Sequence, residues 1–199
     1  MQKLGQINID DMIRFSRLIL QFQDVIRVVD LPRGSGREND VEHSYHLAMM
    51  AWYLNSAGGF GYNVDKVIRY ALVHDLAEAY AGDVHAFDAA ARQGKVQREA
   101  EAMSRIKQEF PLGKDITDAV HDYELRIDDE ARFVYALDKL MPILMIYLEG
   151  GKTWREDGLS LSQIHDNKQD KVAQSEPVNN LYLQLKALLD DQPHLFESK

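Results

Sequence analysis

An imidazole beside a carboxylate, His74-Asp75 in the run Val73-His74-Asp75-Leu76-Ala77-Glu78, can close on one divalent cation. Alone it is a dipeptide, and single His and Asp residues have many ordinary uses as caps, ion-pair partners and buried hydrogen-bonding groups. Two further positions add weight. His43, in Val41-Glu42-His43-Ser44, and Asp138, in Ala136-Leu137-Asp138-Lys139, each lie in an apolar segment with helical spacing. An unpaired carboxylate inside a helix as apolar as the one around Asp138 is costly, and coordination would compensate it. Two histidines and two aspartates make a mixed nitrogen and oxygen donor set. It suits Mn, Fe, Co, Zn or Mg and leaves positions open for water and substrate. That is the ligand set of a metallohydrolase. The chain has no cysteine, so a bound metal must use His, Asp, Glu or backbone oxygen.

The elements that must position these groups read as helices. Ile9, Met12, Ile13, Leu18, Ile19 and Phe22 recur at helical spacing behind Asn8 or Asp10, which predicts a helix over residues 9–24. Leu31-Pro32-Arg33-Gly34-Ser35-Gly36 supplies loop breakers, and a second helix follows over 41–55 with His43 in its first turn. Gly58-Gly59-Phe60-Gly61 separates it from a third helix over 64–79, whose second half carries His74, Asp75 and Glu78. Residues 82–94 read as an irregular connection, and further helices are expected over 95–110 and 115–123, with Pro111 and Gly113 between them. Residues 128–148 carry an apolar stripe of Ala131, Val134, Leu137, Leu140, Leu144 and Leu148, which Asp138 adjoins. Gly150-Gly151 ends that helix, and two more are expected over 161–173 and from Pro177 to about 191. No strand alternation and no repeat is visible, so the expected fold is all-α.

At 199 residues with 45% hydrophobic content the chain fits one domain. A formal net charge of -9 disfavours nucleic acid as a partner, since binders of a polyphosphate backbone present a basic face. A small phosphate ester remains open, because a metal and one or two arginines supply positive charge locally. The sequence has no signal-like N-terminus and no apolar run of bilayer length, so a cytoplasmic protein without membrane association is expected.

Taken in order, these residues resemble the HD-domain metal-dependent phosphohydrolases, within them the 5'-deoxynucleotidase-like branch. Arg37-Glu38-Asn39-Asp40-Val41-Glu42-His43-Ser44 resembles the branch's first ligand motif, His74-Asp75-Leu76-Ala77-Glu78 the second, and Ala81-Gly82-Asp83 the tail that follows. Ala136-Leu137-Asp138-Lys139-Leu140 resembles the last ligand motif, and Glu149-Gly150-Gly151-Lys152-Thr153-Trp154 is also similar. The likeness spans Arg27 to Trp154 in a chain expected to be one HD-type domain over 1–199. It implies a helical bundle in which His43, His74, Asp75 and Asp138 bind one divalent cation. It also implies Glu78 as general acid or base, Arg27 on the substrate phosphate and Asp83 near the sugar and the attacking water. If its helix continues, Glu78 lies one turn after His74 and faces the same cavity. The chain departs from the branch at Val28, where members that prefer deoxynucleotides carry Trp, so weaker discrimination between ribose and deoxyribose is expected.

The other groups have plainer readings. His46 is expected to pack beside the site or at the surface, and His85, His121, His165 and His194 to be solvated or hydrogen-bonded. Arg33 and Arg37 match no P-loop and read as loop cations, and Trp154 as a packing residue rather than a base stacker. The leading function is hydrolysis of nucleoside 5'-monophosphates by metal-activated water, releasing nucleoside and phosphate. A phosphodiesterase or triphosphohydrolase on another small nucleotide is the runner-up. The sequence counts against it, having neither a second His-Asp pair nor an obvious cluster of lysines and arginines. A helical binding protein with a structural metal is the non-enzymatic alternative, and the resemblance also allows a homodimer.

Overall fold

The computed structural model describes residues 7–31, 36–84 and 93–196. The loop residues Pro32, Arg33, Gly34 and Ser35, together with His85, lie outside the described residues. Helix α1 (Ile9–Gln23) leads into a two-stranded antiparallel ribbon, β1 (Ile26–Asp30) and β2 (Arg37–Asn39), which runs straight into α2 (Asp40–Gly58). Then follow α3 (Val64–Val73), the short α4 (Glu78–Ala81), α5 (Lys95–Glu109), α6 (Lys114–Leu125) and α7 (Asp129–Leu148). The short α8 (Lys152–Glu156), α9 (Leu161–Val172) and α10 (Glu176–Asp190) complete the order. The all-α expectation holds, with the small ribbon as an addition that short, weakly alternating strands do not announce.

Local chemistry explains the helix starts. Asn8 caps α1, Asn39 caps α2 and Ser160 caps α9, each in a reciprocal capping box with the residue three positions on. Asp128 caps α7 by accepting from the Ala131 N–H. After α7, Gly150 and Gly151 both take positive φ, and a Cβ on Gly151 would stand 2.5 Å from the Leu195 carbonyl oxygen. That close approach seats Trp154, which is buried and stacked on Phe196 at 4.9 Å, as the packing reading expects.

The core centres on α7, whose Ala131, Phe133, Val134, Leu137, Met141 and Ile143 are almost fully buried against α2, α3, α9 and α10. A second, smaller core joins Leu18 and Phe22 of α1 to Leu76, Ala77, Met103, Ile106 and Val120. Tyr70 and Ala71 belong to the first core and Leu76 and Ala77 to the second, so His74 and Asp75 lie at the junction of the two. Two expectations need correction. The α1 stripe does not face inward as a whole: Leu18 and Phe22 are buried, whereas Ile9 and Met12 are more than half exposed. The third helix also stops at Val73 rather than running to 79. Residues 74–77 form a tight turn with i to i−3 bonds, Leu76 N–H to Val73 and Glu78 N–H to Asp75, before α4 begins.

Candidate functional site

His43 projects from the first turn of α2, His74 and Asp75 from the turn after α3, and Asp138 from the middle of α7. The fold brings the four together from far apart in sequence, with one donor atom of each within 4.8 Å of all the others. His43 Nε2 lies 3.0 Å from Asp138 Oδ1, His74 Nε2 lies 2.9 Å from Asp75 Oδ2, and His74 Nε2 lies 3.6 Å from Asp138 Oδ1. Adjacent donors held at ~2.1 Å on one octahedral cation stand ~3 Å apart, so these spacings fit a shared cation. One buried atom of the cluster, His74 Nε2, has no well-formed hydrogen bond among the described residues, while Asp138 turns Oδ1 to both histidines and pairs Oδ2 with Lys139. A buried nitrogen donor left without a hydrogen bond beside carboxylate oxygens is a chemically apt cation site.

The surroundings orient these groups. His74 Nδ1 donates to the Ala71 carbonyl at 2.9 Å, which turns Nε2 toward the cluster. His43 Nδ1 stands 3.2 Å from Glu38 Oε2, a carboxylate behind an imidazole that would keep Nε2 facing Asp138. Burial disfavours charge on His74, but Asp75 and Asp138 outweigh it and hold its imidazolium up to about 10. Burial would raise Asp75 and Asp138. The neighbouring His74, with Arg27 for Asp75 and with Lys139 and His43 for Asp138, keeps both well below the usual carboxylate range.

Arg27 reaches in from β1. Its Nη1 donates to Asp40 Oδ1 at 2.9 Å and to Asp75 Oδ2 at 3.0 Å, and its Nε lies 3.5 Å from Glu38. Glu78, the first residue of α4, is buried, with Oε1 accepting from Lys95 at 3.0 Å and Oε2 unpartnered among the described residues. Burial and the Asp75 charge push it up to about 9 against the pull of Lys95. The break after α3 thus does not separate Glu78 from Asp75, since the tight turn returns both to one cavity. Asp83 follows α4 and accepts the Val84 N–H at 2.7 Å.

Arg27, Asp75, Glu78, Asp83 and Asp138 line one cleft of about 310 Å³. Along α7 its wall passes from Asp138 through Pro142 and Ile143 to Ile146, ~12 Å at 1.5 Å per residue. Val28, Trp154, Leu159 and Ile164 add to the apolar lining. Sequence reasoning missed Glu38 and Asp40 as supports, because in sequence they look like residues flanking a helix cap. A second donor group, Asp40, Asp75 and Glu78, also converges and shares Asp75 with the first. The expected absence of a basic cluster is corrected as well: Lys95, Lys139, Lys168 and Lys171 join Arg27 around the cleft, gathered from three helices. His46, His121 and His194 make no part of it. His165 pairs with Tyr182 at 2.8 Å, and Arg37 with Asp30 at 3.7 Å, in line with their plainer readings.

Comparison with known proteins agrees with this arrangement. The HD domain family matches residues 20–179. The chain is 36% identical over 136 residues to the 5'-deoxynucleotidase HDDC2 of Mus musculus, covering 67% of each, and 35% identical to that of Homo sapiens, covering 67% of this chain and 65% of the relative. It thus spans about two thirds of the length of these curated relatives. A crystal structure from Magnetospirillum magnetotacticum MS-1, described as a "predicted metal-dependent phosphohydrolase", superposes with a TM-score of 0.81 at 26% identity, over 96% of this chain and 98% of that one. With the ordered motifs, the junction of two cores and these likenesses together, the chain belongs to the HD domain family, in its branch of metal-dependent phosphohydrolases similar to 5'-deoxynucleotidases.

Proposed function

We propose that the chain hydrolyses nucleoside 5'-monophosphates to nucleoside and orthophosphate, with His43, His74, Asp75 and Asp138 holding one divalent cation. The observation that carries this reading is one cleft in which Asp75 and Asp138, Glu78 and an apolar wall meet. Its volume of about 310 Å³ falls at the lower end of small-molecule sites. The ~12 Å run along α7 leaves room for a sugar and base beyond a phosphate at Asp138.

When bound, the cation supplies Lewis acidity toward phosphoryl oxygen and water. Glu78 manages the proton. At Oε2, held protonated by burial and by Asp75, it gives a proton to the leaving 5' oxygen as the P–O bond breaks, and regains one from the attacking water. Lys95 fixes the other oxygen of Glu78 and so its rotamer. Arg27, though pinned by Asp40 and Asp75, presents a guanidinium edge to the cleft for phosphate, and Asp83 accepts a sugar hydroxyl. Val28 lines the same cleft beside Arg27 with a small side chain. It offers little steric objection to a 2'-hydroxyl, so ribonucleotides and deoxyribonucleotides are both substrates of this chain in our reading, whatever the relatives' name implies.

The test is phosphate release from paired ribo- and deoxyribonucleoside 5'- and 3'-monophosphates by demetallated protein reloaded with Mn, Co, Fe, Mg or Zn. The 5' isomers are expected to win in kcat/KM. Preference for the 3' isomers, or phosphate release from nucleoside triphosphates alone, overturns the reading. A deoxyribose preference above about a hundredfold removes Val28 from it.

A further inference from the structure

Helix α9 buries one stripe, Ile164, Lys168 and Val172, at four-residue steps. The middle position carries an ammonium where the pattern of the stripe asks for an apolar side chain. Lys168 is only 8% exposed, and a buried charge without a partner is costly. The other cations of the cleft are engaged: Arg27 with Asp40 and Asp75, Lys95 with Glu78, Lys139 with Asp138 and Lys171 with Asn167. Lys168, among the described residues, makes no hydrogen bond or ion pair, and it lines the cleft.

We propose that Lys168 is a phosphate-binding residue, its Nζ donating to a phosphoryl oxygen of the substrate from the α7 and α9 wall of the cleft, while Arg27 approaches from β1. The proposal rests on the phosphomonoesterase reading above and adds to it a residue outside every HD-type motif of the chain. Its position supports a phosphate rather than a base. Lys168 lines the same cleft as Arg27, Asp138 and Lys139, with Ile164 one helical turn away in the apolar lining. Burial and the three neighbouring cations lower its ammonium to about 8, so a dianion is the partner that would relieve it.

The test compares metal-loaded wild type with K168M, which keeps the stem and removes the charge, K168Q and K168R. Inorganic phosphate is the probe, read by calorimetric binding and as a competitive inhibitor, beside KM for a nucleoside 5'-monophosphate, inhibition by the free nucleoside, metal content and thermal midpoint. K168M and K168Q are expected to weaken phosphate binding and raise KM about ten- to a hundredfold, the scale of one charge-assisted hydrogen bond. Nucleoside inhibition and metal content should stay unchanged, the midpoint should hold or rise, and K168R should recover much of the phosphate affinity. Unchanged phosphate binding in the neutral variants overturns the proposal, as does an equal loss of nucleoside affinity. If K168M does not fold, K168Q decides on the same readouts. A wild type that binds phosphate through Lys168 yet hydrolyses no nucleotide would sink the functional reading and leave the anion site standing.

Discussion

His74 and Asp75 are adjacent in sequence but do different work, and their variants should separate those roles. Asp75 contributes to the donor cluster and also anchors Arg27, so D75A should lose both bound metal and turnover; a D75A protein with wild-type metal content and phosphate release would disprove the ligand set. Glu78 stands outside the group of His43, His74, Asp75 and Asp138 and is hydrogen-bonded by Lys95, so E78A should keep its metal while turnover falls on the order of a hundredfold or more. His74 carries a further consequence. Its imidazolium is held up to about 10 by Asp75 and Asp138, so a cation entering the cluster must displace a proton from Nε2. Metal affinity should therefore rise with pH across the neutral range, and calorimetry in buffers of different ionisation enthalpy should record proton release. Binding without proton uptake by the buffer would mean that His74 is neutral before the metal arrives.

Among the elements, α7 matters most, because it carries Asp138 and the apolar wall on one rigid body. Its start depends on Asp128, which accepts from the Ala131 N–H, Lys66 and Tyr70. Burial would raise this carboxyl, but those three donors together hold it below the ordinary Asp value. A depressed folded-state value means the stabilisation is present above the unfolded Asp value and fades as pH falls through the folded one. D128A should cost about 1 kcal/mol by urea unfolding at neutral pH, typical of a lost N-cap, and the gap from wild type should shrink below about pH 4. A gap that is constant down to pH 2 would assign the loss to packing instead. The break after α3 is the converse case. A continuous helix would set Glu78 by the 3.6 period, whereas the tight turn at 74–77 sets it by hydrogen bonds to Val73 and Asp75.

For the whole molecule, the cluster binds two cores together at their junction, so cation binding should act on global stability. A ligand at about a hundredfold its Kd adds ~2.7 kcal/mol, and a chain of this size gains roughly 2–4 °C per kcal/mol. Saturating Mn or Co should thus raise the thermal midpoint by roughly 5–11 °C, and D138A should abolish the increment. An increment that survives in D138A would locate the stabilising cation elsewhere. None of the helices of the described residues is long and apolar enough to cross a membrane, which agrees with the sequence on that point alone.

Helical periodicity, caps and glycine breaks are local signals, carried by residues within one or two turns of each other. The sequence therefore determined the helical class and most helix bounds, and it singled out the four residues that the fold clusters, with Asp138 marked by its own cost inside an apolar helix. Contacts between distant segments leave no such local trace. Only the tertiary structure turned Ile9 and Met12 outward, ended α3 at Val73, and drew Glu38 behind His43 and Asp40 onto Arg27. It also gathered Lys95, Lys139, Lys168 and Lys171 around one cleft. Lys168 stands between the two cases: its place in the Ile164 and Val172 stripe is legible in the sequence, but that the stripe faces a cavity, where an ammonium can meet an anion, is decided by how α9 packs on α7.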